Sequence, residues 1–188
     1  GTGGGVGAGS CGTGSGSGCG SHNPSVSRGD PVDVATGKVK TDAVVELLFG
    51  GPILLEFARS YSSAACDRDV GLGYGWNHTF GHQLQVRRGA IRLWKADGAF
   101  VDFPLLEKGA SAIGGRAYEL VRSGDGYVLD YGDGLLRDFV ASEADPRLFR
   151  IATVRDSHDC RVALRYERDR LVEITDSVGR TVRFGQSA

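Results

Sequence analysis

Residues 154–184 read VRDSHDCRVALRYERDRLVEITDSVGRTVRF. Val154-Arg155-Asp156-Ser157 stands twenty residues before Ile174-Thr175-Asp176-Ser177, and the same offset carries Val162 onto Val182 and Leu164 onto Phe184. A period near twenty is one hairpin's worth of chain: two strands of roughly six to eight residues and two turns. Val162, Leu164 and Tyr166 alternate with Arg161, Ala163 and Arg165, and Val182 and Phe184 with Thr181 and Arg183. Such alternation gives each hairpin one buried and one wet face. One unit cannot bury its own apolar face, so it must stack on neighbours, and the chain is expected to continue past Ala188.

The same punctuation extends upstream. Turn signals stand at Gly50-Gly51-Pro52, Gly71 to Gly75, Arg88-Gly89, Asp97-Gly98, Gly114-Gly115, Gly124-Asp125-Gly126, Gly132-Asp133-Gly134 and Asp145-Pro146. The runs between them suit strands. Leu55, Phe57, Arg59 and Tyr61 alternate with Leu54, Glu56 and Ala58, and Tyr127, Leu129 and Tyr131 with Val128 and Asp130. No helical stripe persists over three turns. The sequence predicts an all-β fold of successive, mostly antiparallel hairpins.

Composition divides the chain further. It has 188 residues, 22 basic and 23 acidic side chains, and 30 glycines, of which eleven fall in residues 1–20. The first charged residue is Arg28. Residues 1–27 therefore read as a flexible Gly/Ser tail or linker, since they have little apolar surface to offset the entropy of ordering. Balanced charge without a basic run argues against a nucleic-acid partner. The longest mostly apolar stretch, Val44 to Leu55, is interrupted by Glu46, Gly50, Gly51 and Pro52 and is too short for a membrane span. Cys11, Cys19, Cys66 and Cys160 are too few and scattered for a disulfide scaffold. The absence of Met, even at position 1, suggests a slice of a longer protein.

Tyr166, Glu167, Asp169, Arg170, Leu171, Ile174, Thr175, Asp176, Gly179 and Arg180 resemble the RHS/YD-repeat consensus: Tyr-Asp, Gly-Arg-Leu, Ile-Thr-Asp, Gly-Arg. Glu167 replaces the usual Asp, Asp169 stands where Gly is common, and the earlier copy has Asp159-Cys160 where Gly-Arg is expected. A second block is similar to the domain that precedes the RHS repeats in bacterial polymorphic toxins. It comprises Gly29-Asp30-Pro31-Val32-Asp33-Val34-Ala35-Thr36-Gly37, Thr41-Asp42, Gly51-Pro52, Phe57-Ala58-Arg59-Ser60-Tyr61 and Gly73-Tyr74-Gly75-Trp76. The resemblance covers residues 29–188. It implies a spiralling sheet of hairpins forming part of a hollow shell around a C-terminal toxin domain. Residues 28–145 would be the β domain before the repeats, and 146–188 degenerate repeats. It also implies export, often by type VI secretion through a tip protein, from a cytoplasm in which the protein is first held.

No constellation for catalysis emerges. His78 and His82 are four apart, but Trp76 to Val86 reads as one strand, which would hold them about 13 Å apart, beyond one metal ion. His78 is expected to pack beside Trp76. Cys11, Cys19 and His22 are spaced too widely for a structural zinc site. Asp30, Asp33, Asp97, Asp125, Asp133, Asp156 and Asp176 sit at turn positions. Asp145-Pro146-Arg147-Leu148 starts like the Asp-Pro-x-Gly-Leu self-cleavage site of RHS cores but lacks its Gly.

The expectation is a non-enzymatic wall segment without cofactor or metal, partnered by the rest of the shell and its enclosed toxin. Its motif residues are Gly29, Asp30, Pro31, Asp33, Thr36, Gly37, Arg59, Tyr61, Gly73, Gly75, Trp76, Tyr166, Asp176, Gly179 and Arg180. Phe57, Val162, Leu164, Val182 and Phe184 would pack the wall. The alternative is a surface module binding carbohydrate or the cell envelope, with Tyr127 and Tyr131 as exposed aromatics. A hydrolase is a third reading, supported by no nucleophile–base pair.

Overall fold

The computed structural model describes residues 32–33, 37–115 and 118–185. The Gly/Ser segment 1–27, the motif residues Gly29, Asp30, Pro31 and Thr36, and the Cys11–Cys19–His22 group lie outside the described residues. Among the described residues there is no α-helix, and every strand pairing is antiparallel. The all-β expectation holds.

Two sheets carry the fold. The smaller has the order β1 (Val44–Phe49), β2 (Leu55–Tyr61), β3 (Trp76–His78). The larger contains β4 (Gln83–Arg87), β5 (Ala90–Trp94), β6 (Phe100–Pro104), β7 (Ser111–Gly114), β8 (Tyr118–Ser123), β9 (Gly126–Asp130) and β10 (Leu136–Ala141). It continues through β11 (Leu148–Arg155), β12 (Arg161–Glu167), β13 (Arg170–Thr175) and β14 (Thr181–Arg183).

Strand β11 decides the topology. One of its edges pairs with β10. The other is divided: Leu148 to Arg150 pair with β4, and Thr153 to Arg155 pair with β12. The division falls at a bulge, because Asp138 pairs with Thr153 and Phe139 with Ile151, which leaves Ala152 unopposed. A bulge bends its strand and raises the local twist, so the two halves of the edge aim at different partners. On one side β4, β5 and β6 curl round until β6 comes alongside β7, nearly closing a barrel. There the Phe103 ring fills the place of a side chain at Gly114, where a Cβ would come within 2.6 Å of it. On the other side β12, β13 and β14 leave as a three-strand extension.

One hydrophobic cluster runs through all of this. Leu84, Ile91, Leu93, Leu120, Leu129 and Phe139 fill the barrel, and Val162, Leu164 and Ile174 line the extension. Ile53, Leu55 and Phe57 of the smaller sheet belong to the same cluster, and Phe57 meets Phe184 at 4.9 Å between ring centroids.

The repeat is visible as geometry. In the β11–β12 turn Asp156 N donates to Cys160 O (3.2 Å) and Asp159 N to Asp156 O (3.3 Å). In the β13–β14 turn Asp176 N donates to Arg180 O (2.9 Å) and Gly179 N to Asp176 O (3.1 Å). The fourth residue of each is left-handed: Asp159 at φ +63° and Gly179 at φ +86°. This is a three-residue hairpin loop closed by a left-handed residue. The β5–β6 turn has the same bonds, Lys95 N to Ala99 O (2.8 Å) and Gly98 N to Lys95 O (3.0 Å), with Gly98 at φ +80°. The hairpin geometry therefore recurs where the sequence repeat is not visible.

Two expectations need correction. Trp76 to Val86 is not one strand. The chain turns between β3 and β4, where Gly81 N donates to His78 O at 2.7 Å and a Cβ on Gly81 would approach that carbonyl to 3.0 Å. The alternation in β2 also fails at Ala58, which is buried beside Phe57. The turning chain crosses back there, with Thr79 N donating to Ala58 O and Ala58 N to Thr79 Oγ1.

Gly75 and Gly71 separate backbone strain from packing. Both have positive φ, but only at Gly75 would a Cβ strike a neighbour, the Tyr61 ring at 2.5 Å. Gly71→Ala is expected to cost about 1–2 kcal/mol. Gly75→Ala is expected to cost about 2–4 kcal/mol, because overpacking adds to strain. Urea denaturation of both variants checks the difference, and equal losses would contradict it.

Candidate functional site

The motif residues within the described part form two structural groups. The first surrounds Tyr61. Thr41 N donates to Tyr61 O (3.0 Å) and Tyr61 N to Thr41 Oγ1 (2.9 Å), which fixes the start of the smaller sheet to its second strand. Trp76 meets Tyr61 edge-on at 5.6 Å, and the Arg59 guanidinium lies 5.2 Å from the Trp76 ring while Nε reaches Glu46 Oε1 at 2.5 Å. Asp69 Oδ1 accepts the amides of Gly71 (2.7 Å) and Gly73 (3.0 Å), and Ser62 N donates to Gly75 O (2.8 Å). The glycine-rich segment is thus a bent loop against an aromatic pair, as its spacing suggests. Gly37 closes a tight turn, with its amide on Asp33 O (2.7 Å) and φ +67°.

The second group is the Asp176 turn. Its side chain is almost fully buried, and Oδ1 accepts the amides of Val178 (3.0 Å) and Arg180 (2.8 Å). Oδ2 takes Arg180 Nε at 2.6 Å. Burial opposes ionisation of this carboxyl, but Arg180 and the backbone amides outweigh it and hold the pKa below the usual value. Arg180 then reaches across the fold. Its second guanidinium nitrogen donates to Gly50 O in the β1–β2 turn, and the group lies 5.3 Å from the Phe49 ring. The Asp-x-x-Gly-Arg motif therefore shapes its own turn and clamps the smaller sheet to the repeat. Asp156 repeats the turn half of this pattern, its Oδ1 accepting His158 N (2.8 Å) and Cys160 N (3.0 Å).

Tyr166 belongs to a buried polar cluster that sequence reading did not find. It lies with His78, His82, Gln83 and Arg150 at the fork of β11. The His78 ring stacks on Phe57 at 5.1 Å between centroids. Its Nε2 faces Val70 O (3.3 Å), and its Nδ1 accepts Phe80 N (3.3 Å), so the proton sits on Nε2. Burial lowers the His78 pKa to about 4 and that of His82 to about 3, with Arg150 and Arg137 respectively adding repulsion. Burial also raises the Tyr166 phenol. Arg150 Nε stands 3.5 Å from Asp169 Oδ1, and Ser142 Oγ is 2.7 Å from both oxygens of that carboxylate. Asp169 and Arg168 form the β12–β13 turn, both left-handed at φ +63° and +49°. The Asp169 carboxylate ties that turn to Ser142 and Arg150 of the barrel. The available signal was Arg150 itself, a charge inside the apolar run Phe149-Arg150-Ile151.

The two histidines are thus brought into one cluster rather than held 13 Å apart. Both ring nitrogens of His78 face backbone groups, which leaves it a packing role. Among the described residues, no group of three or more His, Cys, Asp or Glu side chains is arranged to hold a metal ion. Tyr127 and Tyr131 are not surface aromatics: Tyr127 is 3 % exposed, and Tyr131 is half-buried against Tyr118 and His82. Among the described residues no helix is long and apolar enough to cross a membrane. Residues 29–103 match the model of a family described as a domain of unknown function, DUF6531. The match runs from the Gly-Asp-Pro motif through β5 into β6. The chain finds no match among curated proteins.

Two outcomes follow from this geometry. Asp176→Ala removes both the amide acceptors and the Arg180 partner, whereas Asp176→Asn keeps an acceptor and loses the charge. Urea midpoints are expected to fall in the order wild type, Asn, Ala. In the second, the unfolded chain binds protons on both histidines below about pH 6.5, while the folded chain does so only near pH 4 and 3. Their stabilisation is therefore complete above pH 6.5 and is lost as pH falls, toward about 4 for His78 and about 3 for His82. Unfolding at pH 5 lets this pair take up about two protons. His82→Gln is expected to halve the pair's contribution, read from denaturation midpoints at pH 7 and pH 5.

Proposed function

We propose that this chain is a non-enzymatic wall segment of an RHS/YD-repeat shell, one that encloses a C-terminal toxin domain of the same polypeptide for secretion or interbacterial competition. The observation that carries this reading is the Asp176–Arg180 clamp. A repeat built on this motif does two jobs at once: Asp176 closes its own hairpin, and Arg180 fastens an earlier part of the chain. A wall assembled from such units grows by adding hairpins to a sheet edge, each bonded locally and tied once to another layer.

The two faces of the extension support the reading. Val162, Leu164, Leu171 and Ile174 point into the core, while Arg161, Arg165 and Glu167 are exposed. Such a sheet separates an apolar packed side from a wet one. Among the described residues β14 pairs only with β13, so its other edge can accept a further hairpin. The buried state of Tyr127 and the packing of Tyr131 weigh against the carbohydrate-binding alternative, whose aromatics must be exposed. The partners in this reading are the rest of the shell, its enclosed domain and a secretion-apparatus tip protein. The wall's role is to isolate a harmful cargo from the producing cell's cytoplasm before export.

Limited proteolysis tests the proposal on the full-length polypeptide containing this segment. The C-terminal domain is expected to resist protease in the full chain and to be cut rapidly when produced alone. Equal cleavage rates would refute encapsulation. Arg180→Ala in the full chain is expected to speed cleavage of the C-terminal domain by opening the tie between wall layers.

A further inference from the structure

The fork of β11 leaves a wedge between β4 and the far half of β12, and the chain turn at Thr79–His82 fills it. The filling is incomplete. A cavity of about 10 Å³ remains, lined by Val70, His78, Phe80, Gly81, His82, Gln83, Arg150 and Tyr166. That volume is about what one water molecule needs, provided that it finds two to four polar partners.

Two lining residues carry buried atoms without partners, and the two atoms are complementary. His82 Nδ1 is buried without a hydrogen bond, and so is Arg150 Nε. The Thr79 carbonyl favours a proton on the His82 ring, and burial keeps the ring neutral, so it carries one proton only. With Nδ1 unpaired, that proton belongs to Nε2, and Nδ1 presents a lone pair. Arg150 Nε always presents a hydrogen. The residues that carry this orphaned acceptor and this orphaned donor thus both line one water-sized space. Both His78 nitrogens face backbone groups, and Asp169 sits 3.5 Å from Arg150 Nε, too far for a good hydrogen bond. Leaving a buried donor and acceptor unpaired carries a desolvation penalty for each, which a single bridging molecule removes.

We propose that this cavity binds one structural water molecule, which accepts from Arg150 Nε–H and donates to His82 Nδ1. The water joins the turn that enters β4 to β11 beside Tyr166 of β12, at the point where the sheet divides. It supplies the cross-strand connection that the fork removes, since no ladder hydrogen bond spans that gap. An apolar molecule would leave both orphaned groups unpaired, and a larger ligand does not fit.

A high-resolution crystal structure of the chain is the test, joined to ¹⁵N NMR of the histidine rings. The expected result is one density peak within hydrogen-bond distance of both atoms, with His82 Nδ1 resonating as an unprotonated acceptor. Water-to-ring magnetisation transfer at His82 is also expected and should be lost in His82→Phe. A dry cavity, a peak touching only one of the atoms, or a direct Arg150–His82 hydrogen bond closing the space would each overturn the proposal. The wild-type density decides the matter even if His82→Phe fails to fold.

Discussion

Strand β11 gives one of its edges to two partners, and most of the architecture depends on how that division is held. A strand edge offers a fixed row of donors and acceptors, so it can change partner only where its direction changes. The unopposed Ala152 supplies that bend. Below it the edge builds a nearly closed barrel; beyond it the edge starts a run of hairpins that the barrel cannot absorb. The fork creates a gap that would expose backbone and apolar surface. The turn from His78 to His82 fills it with two neutral imidazoles, and Arg150, paired with Asp169, lines its polar side. The neutral state of both histidines follows from that position, since a charged ring there would lose its hydration beside an arginine.

The smaller sheet has the opposite relation to the rest. It shares no ladder with the larger sheet and is held by side chains. Phe57 does this from the core side through Phe184, and Arg180 from the surface side through Gly50 and Phe49. One of these contacts is apolar and tolerant of geometry. The other is a charge-assisted hydrogen bond that fixes position. Together they set the smaller sheet over the extension without pairing an edge, and among the described residues the outer edges of β1 and β14 have no strand partner.

Much of the fold could be read from residue order. The turns at Arg88-Gly89, Asp97-Gly98 and Val178-Gly179 fall where glycine accepts a positive φ. The alternation in Val162 to Tyr166 marks the buried face correctly. The twenty-residue offset is reproduced as hydrogen bonds, even at Asp159, whose side chain accepts the left-handed conformation that glycine usually takes. The polar cluster was less legible. Its members are spread from His78 to Asp169, and the pairing of β4 with β11 that joins them spans more than sixty residues of chain. The error over Trp76 to Val86 has a local cause: the turn there is made by a backbone bond at Gly81, a single glycine between runs whose aromatic and β-branched residues suit a strand.

By itself the sequence determined the hairpins, their period, their turn residues and the apolar face of each strand. These depend on local conformational preference and on alternation along one strand. Only the tertiary structure decided that β11 divides its edge, that His78 and His82 meet Arg150 in the resulting gap, and that Arg180 ties the first hairpin to the last. Those outcomes rest on which strand edges find each other and on the polar groups that must be paired once they do, and neither is encoded at any single position.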